Sequence, residues 1–228
     1  DNSFTIYDTD DSKALMKDIC KRLEIDTKMY KEKTFLNVIS SAKNELISPE
    51  EFAQNAIGDF NKTRQAQVYR EYQARLKANN AMDFDDLIMK TVELLKFDTE
   101  VRNFYQEKFQ YIMVDEYQDT NDLQDTLFHI LSHHGERLFA VGDVKQSIYG
   151  FRGADPSNFL RKKNAALPYD KAGESEPKKI ILGSNFRCRA EVCRYINFFF
   201  EHMMTENTGS IAYNEEERLI PAAKYPET

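Results

Sequence analysis

Apolar side chains recur every three or four positions through most of the first 80 residues, which predicts helices. Leu15, Ile19 and Leu23 form a stripe behind Asp10-Asp11, an amphipathic helix with an acidic head. Phe35, Val38, Ile39, Ala42 and Leu46 repeat the pattern after Thr34, the expected cap. Ser48-Pro49-Glu50-Glu51 is a start signal in itself. Ser48 can accept from the Glu51 N–H, Glu51 can reach back, and Pro49 takes the first helical position. Val68, Tyr72 and Leu76 mark a further helix that ends near Asn79-Asn80. Asp83 should cap the next one, with Phe84, Leu87, Ile88, Thr91, Leu94 and Leu95 on its inner face. Asp85 and Asp86 sit in the first turn, where the helix dipole favours negative charge. Val101, Phe104 and Tyr105 indicate one more short helix.

The pattern changes at Gln110. Tyr111-Ile112-Met113-Val114 and Leu138-Phe139-Ala140-Val141 are short apolar runs without alternation, as expected for strands buried on both faces. Between them Leu123, Leu127, Ile130 and Leu131 form a helical stripe that stops by Gly135. Strand, helix and strand in about 30 residues make a βαβ unit with parallel strands and a right-handed crossover. Ile180-Ile181-Leu182 is expected to be a third strand. Residues 190–204 should be a helix with Val192, Ile196, Phe199 and Met203 facing inward, and the polar stretch 169–177 is a candidate boundary.

Composition narrows the class. With 41% apolar residues the 228-residue chain can bury a core, while 30% charged residues and a net charge of −7 weigh against a uniformly basic nucleic-acid surface. Arg161-Lys162-Lys163 and Arg187, Arg189 and Arg194 are local basic clusters that read first as solvated helix faces. No apolar run approaches the ~20 residues that span a bilayer. The 3 cysteines show no C-x-x-C spacing, which fits a reduced, cytoplasmic compartment better than a disulfide framework or zinc ribbon. The abrupt start at Asp1-Asn2 and stop at Pro226-Glu227-Thr228 are expected for a piece of a larger protein.

Both strands of the βαβ unit run into acid, the first into Asp115-Glu116 and the second into Gly142-Asp143. Open parallel sheets bind ligands beyond the carboxyl ends of their strands. Acids there suit Mg²⁺, which is held through one or two carboxylates together with substrate phosphates. His129 and His133, one turn apart at a helix end, and the adjacent His134 lack the H-E-x-x-H pattern and read as a solvated cap.

Residues 114–121, Val-Asp-Glu-Tyr-Gln-Asp-Thr-Asn, and 141–155, from Val141-Gly142-Asp143-Val144-Lys145-Gln146 through Tyr149-Gly150-Phe151-Arg152, resemble motifs II and III of the UvrD/Rep/PcrA superfamily 1 DNA helicases. Asn185-Phe186-Arg187-Cys188 is similar to the start of motif IV, and Asp83-Phe84-Asp85-Asp86-Leu87 to the element between the family's helical insertion and motif II. The resemblance implies an α/β fold with a RecA-like parallel sheet and an N-terminal all-helical insertion subdomain. It divides the chain into an insertion at 1–80, part of the first RecA-like domain at 81–176, and the opening of the second at 177–228. It also implies ATP and Mg²⁺ as cofactors, with Asp115 on the metal, Glu116 activating water, and Asp143 and Gln146 near the nucleotide. Phe186 would stack on adenine, and Arg187 would act as an arginine finger. Tyr149, Phe151 and Arg152 would meet single-stranded DNA, the rings as stacking faces. Gly150 departs from the Arg that many relatives carry.

The whole protein would then step 3′ to 5′ along single-stranded DNA and unwind duplex in repair, recombination or replication. Gly142-Asp143-Val144-Lys145-Gln146 and the apolar run at 198–200 are similar to the AddA/RecB helicase–nuclease branch, which implies a nuclease partner subunit; the short helical insertion is closer to PcrA. No G-x-x-x-x-G-K-[ST] phosphate loop occurs in the chain, which should therefore hold half an ATP site and hydrolyse little ATP. Two other readings compete. One is a metal-dependent nuclease built on Asp115, Glu116, Asp119 and Asp143; the other is a helicase-like interaction module without catalysis.

Overall fold

The computed structural model describes residues 3–28, 30–209 and 211–225, apart from the side chain of Arg152. The Arg152 side chain expected at the DNA thus lies outside the described residues, as do the two ends, 1–2 and 226–228. In chain order the elements are β1 (Thr5–Ile6), α1 (Thr9–Arg22), α2 (Glu32–Asn44), α3 (Pro49–Asn55), α4 (Phe60–Ala78), β2 (Ala81–Met82), α5 (Phe84–Phe97), α6 (Thr99–Lys108), β3 (Ile112–Val114), α7 (Asp122–Leu131), β4 (Leu138–Ala140), α8 (Ser157–Ala165), β5 (Leu167–Pro168), β6 (Lys178–Lys179), β7 (Ser184–Asn185), α9 (Ala190–Met203), α10 (Glu206–Gly209) and β8 (Ile220–Pro221).

Local chemistry sets the helix starts. Asp8, Ser48, Asp83 and Asn121 each build a capping box with the residue three positions on. The box at Ser48 is the one the sequence predicts. At α2 the expectation fails: the helix starts at Glu32, with Lys31 rather than Thr34 at its cap. Met16, Ile19, Phe35, Ile39, Val68, Tyr69, Tyr72 and Leu76 bury the facing sides of α1, α2 and α4 in one core.

A second core joins α5 to α7 through Met89, Val92, Leu95, Leu123 and Ile130. The face of α5 is the expected one only in part: Leu95 lies in this core and Ile88 packs against it. Phe84 and Leu94 are exposed, and Asp86 faces inward with Met89 and Val92. The cause is electrostatic. Lys43, wholly buried on α2, places its Nζ 2.7 Å from Asp83 Oδ2 and 2.9 Å from Asp86 Oδ1, and Tyr72 and Gln73 of α4 also donate to these carboxylates. A buried cation must be paired, so its partners turn inward and the helix turns with them.

The βαβ unit forms as predicted. β3 and β4 are parallel, with Ile112 opposite Leu138, Met113 opposite Phe139 and Val114 opposite Ala140, and α7 crosses between them. The expectation of strands buried on both faces is not met: Tyr111, Met113 and Phe139 are exposed, because no described element covers that face. Among the described residues the sheets are two-stranded parallel pairs, β1 with β2, β3 with β4, β5 with β6 and β7 with β8, rather than one continuous sheet. Ile180-Ile181-Leu182 is not a strand. These residues are exposed between β6 and β7, with no described strand beside them to take up their backbone groups.

α9 also turns a different face. Cys193 and Asn197 are buried, while Val192, Phe199 and Met203 are exposed. Asn197 sets this orientation by donating to the Leu219 carbonyl and accepting from the Leu219 N–H and the Tyr213 hydroxyl. Among the described residues no helix is long and apolar enough to cross a membrane.

Candidate functional site

The register of β3 against β4 fixes the site. Since Val114 lies opposite Ala140, Asp115 and Val141 leave the sheet side by side on strands about 4.8 Å apart. The ladder continues past the strands, with the Val141 N–H donating to Val114 and the Tyr117 N–H donating to Val141. Asp115 Oδ1 accepts the Glu116 N–H at 2.9 Å, and both carboxylates are exposed. Glu116 has φ of 52°, in the left-handed region. A non-glycine residue there costs roughly 1–3 kcal/mol, and such conformations cluster at functional sites. The kink turns the chain directly into a 3₁₀ turn at Tyr117–Asp119.

That turn is anchored beneath the site. Tyr117 is fully buried and donates its hydroxyl to Asp125 Oδ1 at 2.6 Å. Burial, then the hydrogen bond to Asp125, push its phenol far above the usual range, so it stays a donor. Gln118 joins the two strand ends: its buried side chain accepts the Asp143 N–H at 3.0 Å, and its carbonyl accepts from Ser147 Oγ. Gly142 makes room for it, since a Cβ there would lie 2.6 Å from Gln118 Oε1 and 3.1 Å from the Phe159 ring. Sequence reasoning did not single out Gln118. Its only signal was its place inside the motif.

Asp143 is closely held. Oδ1 lies 2.8 Å from Lys145 Nζ and accepts the Lys145 N–H, while Oδ2 accepts from Gln146 Nε2 at 3.0 Å. Burial would raise this carboxyl, but the hydrogen bonds from Lys145 and Gln146 and the ammonium charge overcome it and hold the group below the usual range. Gln146 is therefore engaged with Asp143, its side-chain amide turned to the strand end.

Tyr149 and Phe151 follow on the same loop with ring centroids 6.0 Å apart, and Phe151 is 80% exposed. Neither ring is a core residue. Phe186 and Arg187 lie on the exposed turn after β7, where Asn185 Oδ1 accepts the Arg187 and Cys188 N–H groups. Among the described residues no hydrogen bond or ion pair joins the Arg187 side chain to the strand ends. The basic cluster on α8 is paired with acids from elsewhere in the chain: Arg161 and Lys162 with Asp125 of α7, and Lys163 with Glu217. His134 Nδ1 lies 3.2 Å from His129 Nε2, a mutual contact just beyond the end of α7.

The donor set fits a hard divalent cation. Asp115 offers an exposed carboxylate at a strand end, and four residues on, Asp119 Oδ1 is buried without a hydrogen-bond partner, an oxygen with unused accepting capacity. Among the described residues no group of three or more His, Cys, Asp or Glu side chains is placed to hold a metal by itself. A cation at Asp115 would thus need oxygens from a second source, as substrate phosphates provide.

A parallel βαβ unit with acids at both strand ends is the ligand-facing edge of an α/β protein. Comparison with known proteins makes this specific. The UvrD/REP helicase N-terminal domain matches residues 1–166. The ATP-dependent DNA helicase PcrA of Staphylococcus epidermidis is 42% identical over 235 aligned residues, covering 99% of this chain and 31% of that protein. The PcrA of Leuconostoc citreum is 40% identical over 200 residues, covering 88% of this chain and 26% of its own length. The PcrA of Staphylococcus aureus is 48% identical over 160 residues, covering 70% and 22%. The chain belongs to the UvrD/Rep helicase family and spans about a third or less of the relatives it matches.

Proposed function

We propose that this chain is part of an ATP-dependent DNA helicase, with residues 1–80 as the helical insertion, 81–176 as part of the first motor domain and 177–228 as the opening of the second. The observation that carries the reading is the β3–β4 register, which delivers Asp115-Glu116 and Asp143-Gln146 to the same edge. Asp115 would hold Mg²⁺, which when bound neutralises charge on the transferring phosphoryl group. Glu116, exposed and locked in direction by its left-handed backbone, would orient and deprotonate the attacking water. Gln146 would exchange its bond to Asp143 for one to the terminal phosphate, and Phe186 and Arg187 would approach from the following segment. Tyr149 and Phe151 would stack bases of single-stranded DNA, with Arg152 beside them. The direction of stepping, 3′ to 5′, the role in DNA repair, recombination or replication, and cytoplasmic location are proposed with it. The relatives' names mention a helicase and no nuclease, so a nuclease partner is not part of this reading.

The test is a chimera in which these 228 residues replace the aligned stretch of the S. epidermidis relative. DNA-stimulated ATP hydrolysis that Glu116→Gln lowers by about 10²–10⁴-fold is the expected result. A folded chimera without DNA-stimulated hydrolysis, or one indifferent to Glu116→Gln, overturns the reading.

A further inference from the structure

Lys145, which the proposed chemistry leaves unused, belongs to a chain of alternating charges. Its Nζ lies 2.8 Å from Asp143 Oδ1 and 2.6 Å from Glu217 Oε2, and Glu217 Oε1 in turn pairs with Lys163 of α8. The Glu217 residue is only 8% exposed. An acid this buried between two cations is a fixed point, because leaving either lysine without it would strand a partly desolvated charge.

Glu217 is fixed from the other side as well. Its N–H donates to the Asn214 carbonyl, and two residues later Leu219 is gripped by Asn197 of α9 through both its N–H and its carbonyl. The strand that follows, β8, pairs with β7, and Ala222 donates to the Asn185 carbonyl. Asn185 is the residue whose side chain shapes the Phe186-Arg187 turn, and the Tyr225 hydroxyl donates to the Arg187 carbonyl. One continuous stretch, 217–225, therefore touches Lys145 at its start and the Arg187 turn at its end.

We propose that Glu217 is a positioning residue: held between Lys145 and Lys163, it ties the Asp143–Gln146 end of the candidate site to the turn that carries Phe186 and Arg187. A change at Asp143, such as Gln146 leaving it, would then be felt at Arg187 through Lys145, Glu217 and β8. The tie rests on the reading above only for its meaning in catalysis; the physical link is a property of the chain itself.

The experiment measures amide hydrogen exchange of the 228-residue chain in peptides covering 143–147 and 183–189. Glu217→Gln should speed exchange about tenfold in both, and Lys145→Met should do the same over 183–189, to which Lys145 makes no hydrogen bond or ion pair among the described residues. Lys145→Arg, which keeps the charge, should restore slow exchange, and Glu216→Gln should change nothing. Unchanged exchange over 183–189 in folded Lys145→Met overturns the tie. If Glu217→Gln does not fold, the Lys145→Met and Lys145→Arg comparison decides alone. In the chimera, Glu217→Gln should lower kcat for ATP about tenfold with KM held within about twofold. Failure of the tie and failure of the helicase reading are separable. A wild-type chimera without ATPase activity, alongside the expected exchange pattern, removes the reading and keeps the tie. An active chimera whose turnover and exchange ignore Glu217→Gln does the reverse.

Discussion

The Lys43 ammonium lies 2.7 Å from the Asp83 carboxylate with no part of the lysine side chain exposed to solvent. It ties α2 to the start of α5. Asp83 caps α5, Asp86 completes the capping box, and the Lys43 Nζ also sits 5.3 Å from the centre of the Tyr72 ring. Lys43→Met leaves two buried carboxylates facing an apolar side chain. It should cost about 3–5 kcal/mol of stability, read as a lower midpoint in denaturant unfolding. The triple change with Asp83→Asn and Asp86→Asn should recover part of that loss, because no charge is then left unpaired.

Gly142→Ala places a methyl 2.6 Å from Gln118 Oε1 and 3.1 Å from Phe159. Gln118 must then release the Asp143 N–H. A loss of about 1–3 kcal/mol in thermal unfolding is expected, with a large shift of the Asp143 amide resonance. The same variant in the chimera should lower ATP turnover, since Asp143 and Gln146 move with that amide.

Acid should loosen the Asp143–Lys145–Glu217 chain. Burial would raise both carboxyls, yet their hydrogen bonds and lysine partners hold them below their ordinary values of 3.8 and 4.5. Groups depressed by folding contribute stability that is full above those ordinary values and is lost as pH falls through the folded ones. Burial would lower Lys145, but Asp143 and Glu217 raise it above 10.5, so its contribution is full below 10.5 and is lost only at more alkaline pH. The exchange protection of 183–189 should therefore be flat from about pH 5 to 10 and fall below about pH 4. In Lys145→Met protection over 183–189 should already be low at neutral pH, and the fall below about pH 4 should largely disappear.

Phe151→Ala in the chimera should weaken single-stranded DNA binding by roughly 1–3 kcal/mol, about 5- to 150-fold, without regard to base sequence. Fluorescence anisotropy with an oligothymidine and a mixed-sequence strand checks both halves of this statement. The 228-residue chain by itself should hydrolyse ATP no faster than Glu116→Gln does, because it contains no phosphate loop.

Much of this was legible in the residues. The Ser48 capping box, the Asp83 cap, the β3–α7–β4 unit and its parallel sense all follow from spacing and side-chain type, because each depends on neighbours within a few turns. What the sequence hid depends on distant partners. The face of α5 is set by Lys43, 40 residues upstream, so apolar periodicity alone put Phe84 and Leu94 inside. The face of α9 is set by Asn197 gripping Leu219, and Ile180–Leu182 needs a neighbouring strand that no local pattern can provide. At the candidate site the acids announced themselves. Gln118 and Glu217 did not, because their roles are to hold other residues and arise only once the chain is folded.

The uncovered side of the β3–β4 ribbon has a practical outcome. Tyr111 and Met113 are each 76% exposed and Phe139 is 58% exposed, on a two-stranded ribbon whose outer edges have no described partner strand. Unsaturated edges beside greasy rings invite one molecule to zip onto the next. Concentrated solutions of the 228-residue polypeptide should accordingly show light scattering that climbs steeply with protein concentration, and replacing Met113 and Phe139 by lysine should abolish that rise.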